Sequence, residues 1–239
     1  MNSSLQTFAC ILLMLALAPV VAADEVVAAD EFVALFDGES LDGWTQRGGK
    51  AEYAAVDGMI VGTSVAKTPN SFLCTEREYG DFVLELEVNN DLGLNSGIMI
   101  RAQHREDSYV AEGVSAGGEP WSRKIGRGRV HGYQVEVDHN PKRGYSGGIY
   151  DEARRGWLQN LAGDDMAAAR SAYRYGEWNH YRIECRGDSI RTWVNGVPAA
   201  DLVDPVDASG IIGLQVHSVP KPENVGKQVR WRNLRIKEI

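Results

Sequence analysis

The sequence predicts an all-β protein, a β-sandwich or jelly roll built from antiparallel strands. Three observations carry that expectation. About a dozen short apolar or alternating segments recur along the chain, punctuated by Gly, Asn and Asp turn signals. No long stretch shows the 3.6-residue period of a helix. Glycine is frequent, at 26 of 239 residues, while proline is modest at 8, which suits many tight turns better than disorder. A hydrophobic content of 44% and a charged content of 24% allow a substantial core. The formal net charge of −8 argues against a nucleic-acid partner, which would call for clustered excess Lys and Arg.

Taken in order, the chain opens on an apolar run at residues 8–18, shorter than the roughly 20 residues a membrane-spanning helix needs. The small residues of Val21, Ala22 and Ala23 follow it. This reads as a secretory signal over residues 1–23, cleaved before Asp24, although residues 1–7 contain no Lys or Arg. The expectation is an exported protein, periplasmic or extracellular, with no membrane attachment after cleavage. Residues 24–31 read as a short flexible lead and residues 32–239 as a single domain. Cleavage would leave Cys74 and Cys185. Export permits a disulfide, but Cys185 alternates with Tyr181 and Ile183 on an apolar face and reads as a buried free thiol.

Residues 32–36 start the domain as a strand. Asp57-Gly58 between residues 53–56 and 59–62 marks a hairpin with a type I′ turn. In residues 82–88, Phe82, Leu84, Leu86 and Val88 point inward and Glu85 and Glu87 outward, so the acids read as a solvated face. Residues 98–103 form the next strand. Residues 106–129 are rich in Gly and charge, lack periodicity and read as a long loop containing Trp121; ordered loops of that length are uncommon unless functional. A short helical turn fits residues 165–169. Residues 178–186 and 189–194 pair as a hairpin, Asn195-Gly196 makes the next turn, and two final strands cover residues 210–219 and 229–236.

Residues 132–138 are the chain's most informative strand. Tyr133, Val135 and Val137 share one face; Gln134, Glu136 and Asp138 share the other, with His131 and His139 at the ends. Side chains two residues apart lie roughly 6.6 Å from one another, a spacing suited to two acids acting on one small polar ligand.

The ordered motifs resemble a known family. Phe32, Leu35, Phe36, Asp37 and Gly38, followed by Leu41-Asp42-Gly43-Trp44, look like the opening of the 3-keto-disaccharide hydrolase domain. Further matches are Asn95-Ser96-Gly97-Ile98 leading to Arg101, Gly132-Tyr133 with Asp138, and Ser146-Gly147-Gly148-Ile149-Tyr150. Gly176-Glu177-Trp178-Asn179, Asn195-Gly196, Gly213-Leu214-Gln215 and Arg232-Asn233 complete the series. The resemblance covers residues 32–239 and implies a concanavalin-A-like jelly-roll β-sandwich of two antiparallel sheets, with a curved face that binds sugar. It also implies cleavage of 3-keto-glycosides or 3-keto-disaccharides. The family's Glu and Gln on the central strand stand here in swapped order, as Gln134 and Glu136.

If the polar faces of the matching strands converge, Arg101 and Gln103 meet Gln134, Glu136 and Asp138, together with Gln215 and His217. The alternative is that Arg101 only ties the strands together by pairing with Glu136 or Asp138. Asn95, Tyr150, Trp121 and His131 join Gln134, Gln103 and Gln215 as candidate substrate-binding residues, and Trp178 offers another stacking surface. A carbonyl at C3 acidifies the hydrogen on C2, so cleavage needs a base, a group that polarises the ketone and an acid for the leaving oxygen. Glu136 or Asp138 would be the base. Arg101, alone or with a divalent cation held by carboxylates, would stabilise the enolate, and His131, His139 or His217 would be the acid. A two-carboxylate glycosidase mechanism is the close variant. A non-catalytic carbohydrate-binding module is the alternative from another class, since jelly rolls host both.

Overall fold

Alternating apolar residues give each strand one face to bury, and two sheets stack to bury them. A computed structural model describes residues 31–239; the expected signal segment and most of the lead lie outside the described residues. The strands run β1 (Val33–Ala34), β2 (Trp44–Gly48), β3 (Glu52–Val56), β4 (Met59–Thr63), β5 (Ser71–Tyr79) and β6 (Phe82–Asn90). They continue as β7 (Ser96–Ala102), β8 (Tyr109–Val114), β9 (Pro120–Ile125), β10 (Gly132–Val137), β11 (Ile149–Glu152) and β12 (Gly156–Gln159). After a single helical turn, α1 (Ala167–Arg170), come β13 (Asn179–Arg186), β14 (Ser189–Val194), β15 (Val197–Val203), β16 (Gly210–Val216) and β17 (Gln228–Glu238).

One antiparallel sheet has the order β15-β14-β13-β6-β17-β4-β3, with β1 also paired to β17; the other has the order β12-β11-β10-β7-β16-β5-β2. The core lies between them. Phe82, Leu84, Leu86 and Val88 of β6 and Tyr181, Ile183 and Cys185 of β13 meet Ile98, Ile100, Tyr133, Val135 and Val137 from the second sheet. Burying each large side chain contributes roughly 1.5–3 kcal/mol. The turns form where their sequences require: Asp57-Gly58 and Asn195-Gly196 all have positive φ, as a type I′ hairpin demands. Cys74 and Cys185 are buried free thiols, and burial pushes both up to about 12. They are packing groups.

Two expectations change here. Residues 106–129 contain a two-stranded arm, β8 paired with β9, standing outside both sheets. Much of the arm faces solvent on both sides, so no apolar alternation marked it. Glu85 is also no solvated acid: it is buried beneath Arg182 and Arg235, which donate to it at 2.8 and 2.6 Å.

Arg101 is the larger correction. A bulge shifts the β7–β16 register between Ile211 and Gly213, and Arg101 sits there with φ of 46°. A Cβ at position 210 would lie 2.4 Å from the Arg101 carbonyl carbon, so Gly210 is what admits this backbone. The bulge breaks the period-two count that put Arg101 with Gln134 and Glu136. Its fully buried guanidinium instead donates to the Gly80 and Gly187 carbonyls and to Asp81, at 2.8, 2.7 and 2.8 Å. It pairs with neither Glu136 nor Asp138; it clamps the β5–β6 and β13–β14 turns together.

Removing this buried guanidinium takes the donor from the Gly80 and Gly187 carbonyls and from Asp81. Arg101→Ala should therefore lower unfolding free energy by roughly 3 kcal/mol in urea titration. A loss under about 1 kcal/mol would show that these turns hold without the clamp.

Candidate functional site

The second sheet curves into a trough. Strands β11 and β5 are separated by β10, β7 and β16, which in a flat sheet would put them roughly 19 Å apart. Yet Asn70, immediately before β5, donates to Glu152 of β11 at 3.3 Å. Only strong curvature brings those side chains together. The open face of β10 lines this trough with Gln134 and Glu136.

Glu136 is 5% exposed, and each of its oxygens is held. Asn95 donates to Oε1 at 2.7 Å and Arg143 to the same atom at 3.3 Å; Gln134 donates to Oε2 at 3.1 Å. Gln134 in turn accepts from Gln215 at 2.6 Å. The Oε1 of Gln215 is buried with no partner among the described residues, the kind of acceptor a sugar hydroxyl would satisfy. Gly97 lies between Glu136 and Gln215 in register. A Cβ there would sit 2.4 Å from the Gln134 side chain, so glycine lets that amide lie across β7. Burial pushes the Glu136 carboxyl up to about 7, further raised by Asp138 and opposed by Asn95, Arg143 and Gln134.

Asp138 has a different role. Burial would raise its carboxyl, but hydrogen bonds from Arg143 and from the backbone of Tyr145 and Asn140 hold it below the ordinary range. Arg143 grips it bidentately, with both contacts at 2.8 Å. Asp138 thus anchors the segment after β10 and aims Arg143 at Glu136. Tyr150 lies opposite Gln134 in register, edge-on to Trp157 at 5.3 Å. Burial raises its hydroxyl, followed by the charges of Glu152 and Glu136. His139 and His217 line a recess of about 400 Å³ together with Asn95. His217 donates from Nδ1 to the Ser218 carbonyl at 2.8 Å, leaving Nε2 free to accept.

Of the expected residues, Glu136, Gln134, Gln215, Asn95, Tyr150 and His217 surround the trough. Arg101, Gln103, His131 and Trp121 do not meet them. Gln103 donates to the Arg101 and Ser209 carbonyls. His131 is buried between the Tyr109 hydroxyl and the Arg129 carbonyl, and burial lowers its pKa. Trp121 covers the guanidiniums of Arg154 and Arg155 at 5.5 and 5.2 Å, which fastens the arm to the sheet. Trp178 covers Arg232 of the other sheet at 4.1 Å. All four polar or aromatic placements fail for one reason: the bulge and the arm turn this end of the trough into a supporting framework.

Arg143, Trp157, Glu152 and Asn70 were not anticipated. Arg143 had one available signal, its place in the turn-rich segment directly after the acid-bearing strand. Glu152 and Asn70 had none, because strand order alone brings them together. Among the described residues, no three His, Cys, Asp or Glu side chains converge to hold a metal, so the donor set does not fit the divalent cation allowed as an aid to Arg101. No described helix is long and apolar enough to cross a membrane.

The family model described as the 3-keto-alpha-glucoside-1,2-lyase-like domain matches residues 31–237. No curated protein matches the chain. Two Parabacteroides distasonis ATCC 8503 structures, provisionally named glycosyl hydrolases, share this fold. One is 20% identical with a TM-score of 0.55, covering 88% of this chain and 100% of that one. The other is 17% identical with a TM-score of 0.53, covering 88% and 95%. A Bacillus subtilis protein of unknown function with a galectin-like fold is 10% identical, with a TM-score of 0.53 and coverage of 83% and 90%.

The raised carboxyl of Glu136 has a consequence for stability. The unfolded chain loses this proton near 4.5 and the folded chain near 7. Between those values the folded state holds the extra proton, so stability falls as pH rises through the window, by up to about 3 kcal/mol. Glu136→Gln should flatten that part of the wild-type profile in thermal unfolding from pH 4.5 to 8. Parallel profiles would mean that the carboxyl titrates normally.

Proposed function

The chain belongs to the 3-keto-α-glucoside-1,2-lyase-like family, and we propose that it cleaves 3-keto-glycosides by elimination across C1 and C2. The single observation that carries this reading is Glu136: a carboxylate buried in a trough, bordered by hydrogen-bond donors and raised to about 7. A base of that strength is matched to neutral pH.

In this reading the C3 ketone acidifies the C2 hydrogen and Glu136 removes it. The C2–H electron pair moves into the C2–C3 bond, placing negative charge on the ketone oxygen. Arg143, held by Asp138 beside Glu136, supplies the positive charge that Arg101 was expected to bring. Collapse of the enolate forms a C1–C2 double bond and breaks the bond from C1 to the glycosidic oxygen. His217, across Asn95 from Glu136, is the group proposed to deliver a proton to that oxygen, which requires the ring protonated on Nε2 as well as on the Nδ1 that faces the Ser218 carbonyl. Water adding across C1–C2 then completes a net hydrolysis. Tyr150 and Trp157 form an aromatic wall for the sugar ring, and Gln134 and Gln215 offer amide contacts to its hydroxyls. Export of the protein, expected from residues 1–23, would place this activity outside the cytoplasm.

The purified full-length protein should release product from 3-keto-glucosides and not from ordinary glucosides. Glu136→Gln should lower kcat by roughly 10²–10⁴-fold with little change in KM, as expected for a lost general base. Sugar binding without cleavage of either class would favour the binding-module reading and retire the base assignment.

The pH profile gives an independent check. Because the free enzyme must hold Glu136 deprotonated, kcat/KM should fall about tenfold per unit as pH drops below about 7. Activity that persists undiminished at pH 5 would exclude Glu136 as the base.

A further inference from the structure

The arm and strand β2 enclose a second cleft of about 820 Å³, lined by Arg47, His104, Arg123, Lys124, Arg127 and Arg129. Glu106 is the one acid on its walls. The chain as a whole carries a net charge of −8, so this concentration of cations runs against the overall balance. Four arginines of the other sheet are matched to carboxylates: Arg182 and Arg235 to Glu85, Arg232 to Glu87 and Arg230 to Asp91. In the cleft that matching is incomplete. Arg129 reaches Glu152, and Arg47 lies 3.9 Å from Glu106. Arg123, Lys124 and Arg127 pair with no carboxylate among the described residues.

Two further details point to an anion. The Nε atoms of Arg47 and Arg129, on different elements, are buried and have no partner among the described residues. A buried unsatisfied donor is costly, and an anionic oxygen is its strongest acceptor. Arg47 also donates to His104 Nδ1 at 2.9 Å, and the ring's other N–H is turned to the Gly128 backbone, so His104 orients Arg47 in the wall of the cleft. Burial, followed by the charge of Arg47, keeps His104 toward the neutral form.

The cleft adjoins the trough. Asn70 and Arg129 line it, and both donate to Glu152. Arg47 lies in the same cross-strand row as Glu136, through Gly97, Gln215 and Phe72. Four strand spacings separate the two, more than a single sugar ring covers even on a curved sheet.

We propose that this cleft binds an anionic substituent, a uronate carboxylate or a sulfate ester, on the saccharide unit attached to the 3-keto sugar. Resting on the cleavage reading above, this makes the substrate class an acidic 3-keto-glycoside. The guanidiniums provide bidentate donors for either oxyanion, and a neutral glycoside leaves them unsatisfied.

The test measures binding by calorimetry and, separately, cleavage, using the full-length protein. The probes are a neutral glucosyl disaccharide, its uronate counterpart and its sulfated counterpart, each with and without oxidation at C3. Either acidic disaccharide should bind about tenfold or more tightly than the neutral one, with the advantage shrinking from about 50 mM to about 500 mM salt. Arg123→Gln with Arg127→Gln should abolish the advantage while leaving neutral-sugar affinity unchanged. Both residues are exposed and pair with no carboxylate among the described residues, so the variant retains its fold; Arg47→Gln should repeat the result from the opposite wall. The stronger acidic arm identifies carboxylate or sulfate. Equal affinity for neutral and acidic probes, or an advantage that survives both variants, would overturn the proposal. Acid-selective binding without cleavage sustains the cleft and removes the catalytic reading. Cleavage with no acidic preference does the reverse.

Discussion

The structure around the trough follows from one constraint: a carboxylate removed from water must be held by donors or kept neutral. Glu136 is held in both ways. Asn95, Gln134 and Arg143 each donate to it, yet burial still outweighs them and raises the carboxyl to about 7. That balance fixes its neighbours. Gln134 must lie across β7, which requires glycine at 97. Arg143 must be aimed, which requires Asp138 and the backbone groups that hold it. A carboxylate fully paired with an arginine would instead be a weak base, as Asp138 illustrates.

Arginine is the residue that organises the rest, and its role changes with its partners. Arg101 is fully buried and joins turns of the two sheets; Arg154 and Arg155 share Asp151 and support the arm beneath Trp121. Arg182, Arg232 and Arg235 neutralise the acids of β6 on the opposite sheet. In all these places charge is matched to charge, and the pairs stiffen a framework. Around β2 and the arm, by contrast, several cations lining one cleft pair with no carboxylate among the described residues, next to the trough. That contrast, more than the number of arginines, distinguishes the cleft as a place for a ligand.

The strand reading was faithful wherever side chains simply alternate. Residues 82–88, 132–138 and 179–194 fold as expected because each has one face against the core and tight turns at its ends. The site was legible to the same degree. Glu136, Gln134 and Gln215 were placed together by period-two counting along β10 and β16. The counting failed at Arg101, where one inserted residue turns the side chain away, and at the arm, whose inward face carries only Tyr109, Ala111 and Gly113 on β8 and so gives a weak apolar alternation. Trp121 was misread for a related reason: an aromatic ring in a glycine-rich segment can stack on a sugar or on a guanidinium, and only its neighbours decide.

By itself, the sequence determined the two-sheet architecture, the central acid-bearing strand and the family resemblance, because these depend on local alternation, turn chemistry and ordered motifs. The tertiary structure decided which acid is raised by burial and which is an anchor. Glu136 and Asp138 sit two residues apart on one strand and are chemically alike, but one is desolvated faster than donors can compensate and the other is gripped by Arg143. It also decided that Asn70 and Glu152, 82 residues apart, touch across the trough. Desolvation and sheet curvature are sums over many distant residues, so no local pattern in the chain records them.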